Sequence, residues 1–510
     1  MPPSFSIVIN TLNRAPLLAK TLDSLRWLRY RGRFEVIVVN GPSTDHSQDI
    51  IDAWLPAVRS ARCAVANLSV SRNIGICMAR GDIVAFIDDD AIPEPEWLEQ
   101  LARAYDNPAV GAAGGLVFDQ TGYTYQYEYS TATRLANANW RLTRNADHLA
   151  YPGAFEFPYL QGTNASFRRS ALLEVGGFDE EIEYYLDETE LCCRLVDAGY
   201  LIRQLPNAYV HHKFAPSNIR NEHKITRYRY PVIKNKLYFS LKHGRDYLPL
   251  PDILDDNRRF VDQQAQEVEA HIAGGRLPAS EREALAGQVR SAWERGMERG
   301  LSGVYEYITP DKRTAFGGSF VPFSRVLSHP AVKNLVFVDR RSGAGAVSAL
   351  ASSLAAHGHC ICVVTQSEDI DRVDFEQGVW VHRIVAPKPA SAANPRNSLD
   401  QPVSNWSTRA FDEVRRIAGH RRIDAVEIPL EDGESLPLFL AESWPVIVQV
   451  DAHTTFPLPA PLKQQLIDAT AVRCTVPSAQ EHVLALRHGL DEDGILLWPD
   501  QHRPPASGIE

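Results

Sequence analysis

Strands and helices alternate through the first 120 residues, and no other feature of this 510-residue chain restricts its fold so tightly. "FSIVIN" reads as a strand, and "APLLAKTLDSLRWL" as a helix with Pro16 near its start. "FEVIVVN" is a second strand, followed by the turn "GPSTD" and a short helix in "DIIDAWLPAV". "SVSRNIGICMARG" has helical spacing with Gly81 as its C-cap, and "DIVAFI" is a third long strand. Such alternation predicts an α/β fold: a parallel sheet covered by helices, with ligands at the carboxyl ends of the strands. Asn10, Asn40 and Asp88 to Asp90 all fall at such ends.

The last group carries the clearest chemistry. In "GDIVAFIDDDAIPEPEW" an apolar strand runs out onto Asp88, Asp89 and Asp90 with no basic neighbour. Adjacent carboxylates repel, so the cluster sits in water or meets a cation from outside. Mg²⁺ and Mn²⁺ prefer carboxylate oxygens together with substrate phosphates. Taken alone, a solvated acidic turn explains the triplet as well as a metal site does. Phosphatases of the haloacid-dehalogenase type also place aspartates after a strand, but want threonine or valine next; Ala91 and Ile92 fit poorly.

Composition removes other classes. Hydrophobic residues make up 44% and charged residues 23%, ordinary for a chain with real cores. The net charge of −10 argues against nucleic acid as a partner. Seven scattered cysteines without a CxxC pair indicate neither a disulfide framework nor a zinc site, and fit a reducing cytoplasm. No apolar stretch reaches the roughly 18 residues of a membrane span, and "MPPSFSIVINTLNR" lacks a signal peptide's basic start and cleavage site.

Four stretches occur in one order: "TLNRAPLLAKTLDSL", "EVIVVNGPSTDHS", "SVSRNIGICMARGDIVAFIDDDAIPEPEWLE" and "GTNASFRRSALLEVGGFDEEIEYYLDETELCCRL". Together they resemble the inverting family 2 glycosyltransferases, with a GT-A fold, over roughly residues 4 to 245. The resemblance implies that Asp88 to Asp90 are a DxD motif holding Mn²⁺ or Mg²⁺ against the diphosphate of a sugar nucleotide. Asp90 is then the direct metal ligand. Asp88 contacts the ribose or a metal-bound water, and Asp89 shapes the turn. A histidine at the end of "NAYVHH" completes the metal site in part of the family; strand alternation places Ala208, Val210 and His212 on one face, so His212 is preferred to His211.

The same resemblance implies a donor pocket of Thr11, Asn13 and Arg14, with Asn40, Asp45, Arg72 and Asn73, and with Asp88 and Asp89 at its phosphate end. The family usually has aspartate where Asn40 stands, so the nucleobase is left open. "YYLDETELCCRL" matches the family's acidic motif, with the usual Glu-Asp replaced by Asp187-Glu188. Glu188 aligns with the base that accepts the acceptor hydroxyl's proton, and Asp187 is the alternative. Gly162, Thr163 and Asn164 fall on the acceptor side. The implied activity is transfer of a sugar to a hydroxyl of a glycan or lipid-linked acceptor, in surface polysaccharide synthesis. A sugar-nucleotide pyrophosphorylase would want a Gly-rich loop and lysine that "INTLNRAPLLAK" lacks, and a degenerate scaffold would not need intact acidic motifs.

Residues 203–245 are basic and rich in tyrosine. They read either as a solvated face or as a site for an anionic acceptor, such as a lipid-linked diphosphate, at the inner membrane surface. The expected organisation is a GT-A domain in residues 1–250, a helical extension and linker in 251–330, and a second, Rossmann-like domain in 331–510. In this last part Gly343 and Gly345 precede Ser348 where a dinucleotide fingerprint wants a third glycine, and Thr365 and Gln366 supply no ribose-binding acid, so NAD is not expected. "GVWVHRIVAP", "DAVEIPL" and "CTVPSAQEHVLALRHG" resemble the N-terminal half of a family 4 glycosyltransferase of GT-B fold. The resemblance implies either a longer chain carrying the missing GT-B half or a vestigial docking module, and no sugar-nucleotide binding in 331–510.

Overall fold

The structure, a computed structural model, describes residues 2–217, 219–326, 333–340, 347–385 and 405–429, with 438, 441, 443–449, 472–476 and 495–497 beyond. Two compact units divide the chain, Met1–Gln120 with Thr124–Arg325, and Thr121–Tyr123 with Val326–Glu510.

The first unit opens as its sequence predicts. Strand β1 (Phe5–Thr11) leads to α1 (Ala15–Leu25), β2 (Phe34–Asn40), α2 (Ser47–Ala53) and β3 (Arg59–Arg62). Helix α3 (Leu68–Met78), β4 (Ile83–Phe86), β5 (Ala91–Pro93) and α4 (Trp97–Ala104) follow. Next come β6 (Val110–Phe118), β7 (Tyr125–Tyr127), β8 (Tyr129–Thr133), β9 (Ala138–Leu142) and β10 (Glu156–Pro158). Then follow β11 (Ala165–Arg168), α5 (Arg169–Glu174), α6 (Asp187–Asp197) and β12 (Leu201–His212).

The main sheet has the order β3-β2-β1-β4-β11-β6-β12-β5, with β7 added to β6, while β10, β8 and β9 form a small second sheet. Strands β3, β2, β1 and β4 are parallel. Strand β11 is inserted antiparallel between β4 and β6. The expected all-parallel sheet is therefore mixed. "ASFR" is too short and too polar to announce a central strand. Strands β1 and β4 are apolar without alternation because both faces are covered. Val8 joins one core with Ile76, Leu191 and Leu195 of α3 and α6. Ile7 and Ile9 join the other, with Leu18, Leu22 and Trp97 of α1 and α4. Gly81 is not the cap of α3, which ends at Met78 with Ala79 as C-cap. It is glycine because a Cβ there would press on the Phe5 and Ser6 backbone.

Three helices extend this unit: α7 (Tyr230–His243), α8 (Leu250–Ala273) and α9 (Glu281–Ser302). Helix α7 is buried along most of its length, and Gly296 and Gly300 let α9 approach Leu237 and Leu241. Four cations of the basic run, at α7 and just before it, fit neither reading, whereas Lys224 and Arg227 of the same run are exposed. Lys234 pairs with Glu181 and Glu183, Lys236 with Asp256, Lys242 with Asp179 and Glu190, and Arg229 with Glu267. These cations are internal counterions, neither solvated nor free for a lipid headgroup.

After α10 (Pro310–Ala315), the stretch read as linker instead straps the back of the same unit. Phe316 and Gly318 carbonyls accept from Arg80, and Gly317 accepts from Arg59. Phe323 stacks on Trp54, 5.8 Å between ring centres.

The second unit holds β13 (Asn334–Val338), α11 (Ala349–Ala356), β14 (Cys360–Ser367), β15 (Arg372–Glu376), β16 (Val379–Val385) and α12 (Asn405–His420). It continues with β17 (Ala425–Pro429), β18 (Val446–Gln449), β19 (Val472–Val476) and β20 (Ile495–Leu497). Its sheet, β15-β16-β14-β13-β17-β18-β19-β20, is parallel except for β15. Gly343 and Gly345 lie outside the described residues, whereas Ser348 is the N-cap of α11 and accepts from Ala351 N–H. No helix among the described residues is long and apolar enough to cross a membrane.

Candidate active site

The carboxyl ends of β1, β2 and β4 open on one edge of the sheet, and β12 returns to deliver its last residue there. Oxygens of Asp88 and Asp90 and a ring nitrogen of His212 all lie within 4.8 Å of one another. His212 Nε2 is 3.2 Å from Asp90 Oδ1 and 3.5 Å from Asp88 Oδ2. Its Nδ1 is 2.9 Å from Gln126 Oε1 and donates to it, so Nε2 is the ring nitrogen turned to the carboxylates. A nitrogen and two carboxylates so arranged suit Mn²⁺ or Mg²⁺. His211, on the opposite face, pairs with Glu94 at 2.9 Å and stacks on Phe118.

Asp90 is buried; the Ala215 N–H donates to its Oδ2 at 2.7 Å. Burial opposes its charge, but His212 and Arg14 outweigh burial and hold the carboxyl well below its usual range. Asp89 turns to Arg14, 2.9 Å away, yet burial still raises it to about 6. Asp88 is the more exposed of the two that face His212, and burial with the charge of Asp90 raises it.

The predicted donor residues divide into two groups. Arg14 lies at the cluster of Asp88, Asp90 and His212, 3.4 Å from Asp90, and also donates to the Pro216 carbonyl. Thr11 is buried at the end of β1. The others brace the loops around this edge. Asn13, in the left-handed region at φ 56°, accepts from the Thr44 and Asp45 N–H groups. Asp45 accepts from Ala15 and Ser47, so one carboxylate serves the first residues of both α1 and α2. Burial would raise Asp45, but these bonds lower it. Asn40 bonds Gln48 and Ser43. Asn73 is occupied by both backbone groups of Phe178.

The second carboxylate cluster begins α6. Tyr185 and Leu186, both at φ 71°, turn the chain sharply into Asp187. Asn235 holds this turn by donating to the Tyr184 and Tyr185 carbonyls. Consecutive non-glycine residues in this region cost about 1–3 kcal/mol each and concentrate at functional sites. Arg72 pairs with Asp187, and with Glu188 at 2.8 Å. The Asp187 side chain is 2% exposed and that of Glu188 17%, so Glu188 is the one that reaches outward. Burial pushes Asp187 well up; for Glu188 burial is outweighed by Arg72, which keeps it ionised. The charges of Arg72 and Glu188 also act on Asp88, so the two clusters lie within electrostatic reach of one another.

Gly162 fits tightly against this pair: a Cβ would overlap the Glu188 carboxylate and the Arg72 guanidinium. Thr163 is buried beside it. Asn164 is occupied by structure, accepting from Trp97 and donating to the Leu116 and Ala208 carbonyls.

Sequence reasoning missed Gln126, which sits in a polar-aromatic hairpin with no motif, and Ala215, whose contribution is a backbone N–H. A further triplet, Cys193, Asp197 and His243, has metal-like spacing. There Arg134 already supplies the charge, 3.2 Å from the thiol and 2.6 Å from the carboxylate.

Residues 6–176 match the family model described as Glycosyl transferase family 2. The chain is 29% identical over 221 residues to a glucosyl-dolichyl phosphate glucuronosyltransferase of Haloferax volcanii, covering 41% of this chain and 68% of that one. It is also 29% identical over 210 residues to a pre-mycofactocin glycosyltransferase of Mycobacterium tuberculosis, covering 41% and 42%. The match thus spans less than half of the mycobacterial relative. A solved mannosyltransferase from Pyrobaculum calidifontis, in complex with GDP-Man and Mn²⁺, aligns over 59% of this chain and 88% of that one, at 19% identity and a TM-score of 0.38. The N-terminal part of this chain carries a glycosyltransferase family 2 domain.

Proposed function

We propose that this chain is a metal-dependent, inverting glycosyltransferase that moves a sugar from a nucleoside diphosphate to a hydroxyl of a glycan or lipid-linked acceptor. The observation that carries the reading is two clusters within electrostatic reach of one another: Asp88, Asp90 and His212 in one, Arg72, Asp187 and Glu188 in the other. Asp88, Asp90 and His212 would hold Mn²⁺ or Mg²⁺, which supplies charge to the departing diphosphate. Glu188 accepts the acceptor hydroxyl's proton as the oxygen bonds to the anomeric carbon. The carbon–phosphate-oxygen bond breaks, and its electron pair leaves with the nucleoside diphosphate. Attack opposite the leaving group inverts the anomeric centre.

Glu188 rather than Asp187 fits this role because it is more exposed and ionised. Thr11, Arg14, Asn40 and the loop braced by Asn13 and Asp45 form the donor wall, and Gly162 and Thr163 the acceptor side. A role in surface polysaccharide synthesis belongs to the same proposal, as does the likeness of the second unit to half of a GT-B enzyme. The test is release of nucleoside diphosphate from UDP-, GDP- and dTDP-sugars, with Mn²⁺ and with EDTA. One donor should turn over, and only with metal. Turnover undiminished by EDTA would overturn the metal assignment, and release of pyrophosphate-exchange products would indicate a different reaction.

A further inference from the structure

We propose that Arg72 is a positioning residue for the base Glu188, and that it does not bind the donor. The proposal rests on Glu188 being the base. Adjacent residues on a helix point about 100° apart, so Asp187 and Glu188 do not converge by themselves. Arg72 Nη1 bonds both carboxylates and draws them to one point. Its guanidinium is itself fixed. The rings of Phe86 and Phe178 lie 5.6 and 5.2 Å from its central carbon, and its side chain is 3% exposed.

The support extends further back. Asn73 holds both backbone groups of Phe178, Asn67 donates to the Glu180 carbonyl, and Ser69 donates to the Ile182 carbonyl. Helix α3 is thereby stapled along the segment that runs into α6. Gly162 supplies the remaining wall, where only the absence of a Cβ leaves room for the Arg72–Glu188 pair. A guanidinium 3% exposed, packed by two rings and bonded through Nη1 to both carboxylates, is committed to the base rather than to a nucleotide.

The experiment uses the full chain and compares Arg72→Gln, Arg72→Lys, Gly162→Ala and Glu188→Gln. Affinity for UDP, GDP and dTDP with Mn²⁺ is measured by calorimetry, and turnover with the sugar nucleotides of the panel above. Arg72→Gln and Gly162→Ala should leave nucleotide affinity within about threefold and lower turnover about 10²-fold, the scale of general-base catalysis. Arg72→Lys, retaining the charge without the fork, should recover part of the loss. Loss of nucleotide affinity in Arg72→Gln with turnover intact at saturation would overturn the proposal and place Arg72 in the donor site. If Arg72→Gln does not fold, Gly162→Ala and Arg72→Lys decide the matter by the same split. A dead Glu188→Gln beside fully active Arg72→Gln and Gly162→Ala would sink the positioning role alone. An active Glu188→Gln would instead remove the base reading on which it rests.

Discussion

Lowering the pH from 8 to 6 should weaken Mn²⁺ binding, with a slope that the structure fixes. His212 Nε2 faces Asp90 and Asp88 at 3.2 and 3.5 Å. Burial alone would lower its pKa, but the two carboxylates outweigh burial and raise it above the ordinary histidine value. A cation takes Nε2 only after that proton has left. One proton displaced per ion makes Kd rise about tenfold, or about 1.4 kcal/mol, for each pH unit below the His212 pKa. Above that pKa the affinity should level off. Asp90 stays ionised throughout, being held well below its usual range. In the metal-free protein the sign reverses: a raised histidine contributes stability below its unfolded pKa, and loses it as pH climbs through the folded one. Titration calorimetry of the full chain with MnCl₂ at pH 6, 7 and 8 measures the slope. A flat profile, or the same slope in His212→Ala, would refute the reasoning.

Two predictions concern the scaffold. Lys242→Met removes the ammonium 2.6 Å from buried Asp179 and 2.7 Å from Glu190, which keeps Arg194, and should cost about 3–5 kcal/mol in urea unfolding; a change under 1 kcal/mol contradicts the counterion account of α7. Gly115→Ala drives a Cβ into the Ala208 carbonyl where β6 meets β12, and should lower stability by about 1–3 kcal/mol by thermal melt. An unchanged melting temperature would show that the two strands have slack there.

The clustering of Asp88, Asp90 and His212 was legible because strand periodicity carries direction. Alternation along "NAYVHH" chose His212 over His211, and the run ending in "DDD" fixed which loop meets it. What stayed hidden depends on partners distant in sequence. Lys234, Lys236 and Lys242 read as a surface because their acids, Glu181, Asp256 and Asp179, come from other elements. The resemblance implies a donor-pocket place for Arg72, and only folding shows it turned onto Asp187 and Glu188. Asn164 and Asn73 have the polarity of binding residues, but backbone groups take their hydrogen bonds. "GGSFVPFSRV" has a linker's composition, and its attachment to Arg59, Arg80 and Trp54 has no local signal. Strand β11 is silent in the sequence for a different reason: four residues are too few for periodicity to register.

The most direct test of the central claim is single-turnover transfer by Glu188→Gln with donor and Mn²⁺ at saturation. The substitution keeps the size of the side chain and its hydrogen bond to Arg72 while removing its ability to take a proton. The account predicts nucleotide affinity close to that of the parent chain and transfer slower by about 10²-fold or more. Transfer at the parent rate would contradict it, and collapse in Asp187→Asn alone would move the base one residue back.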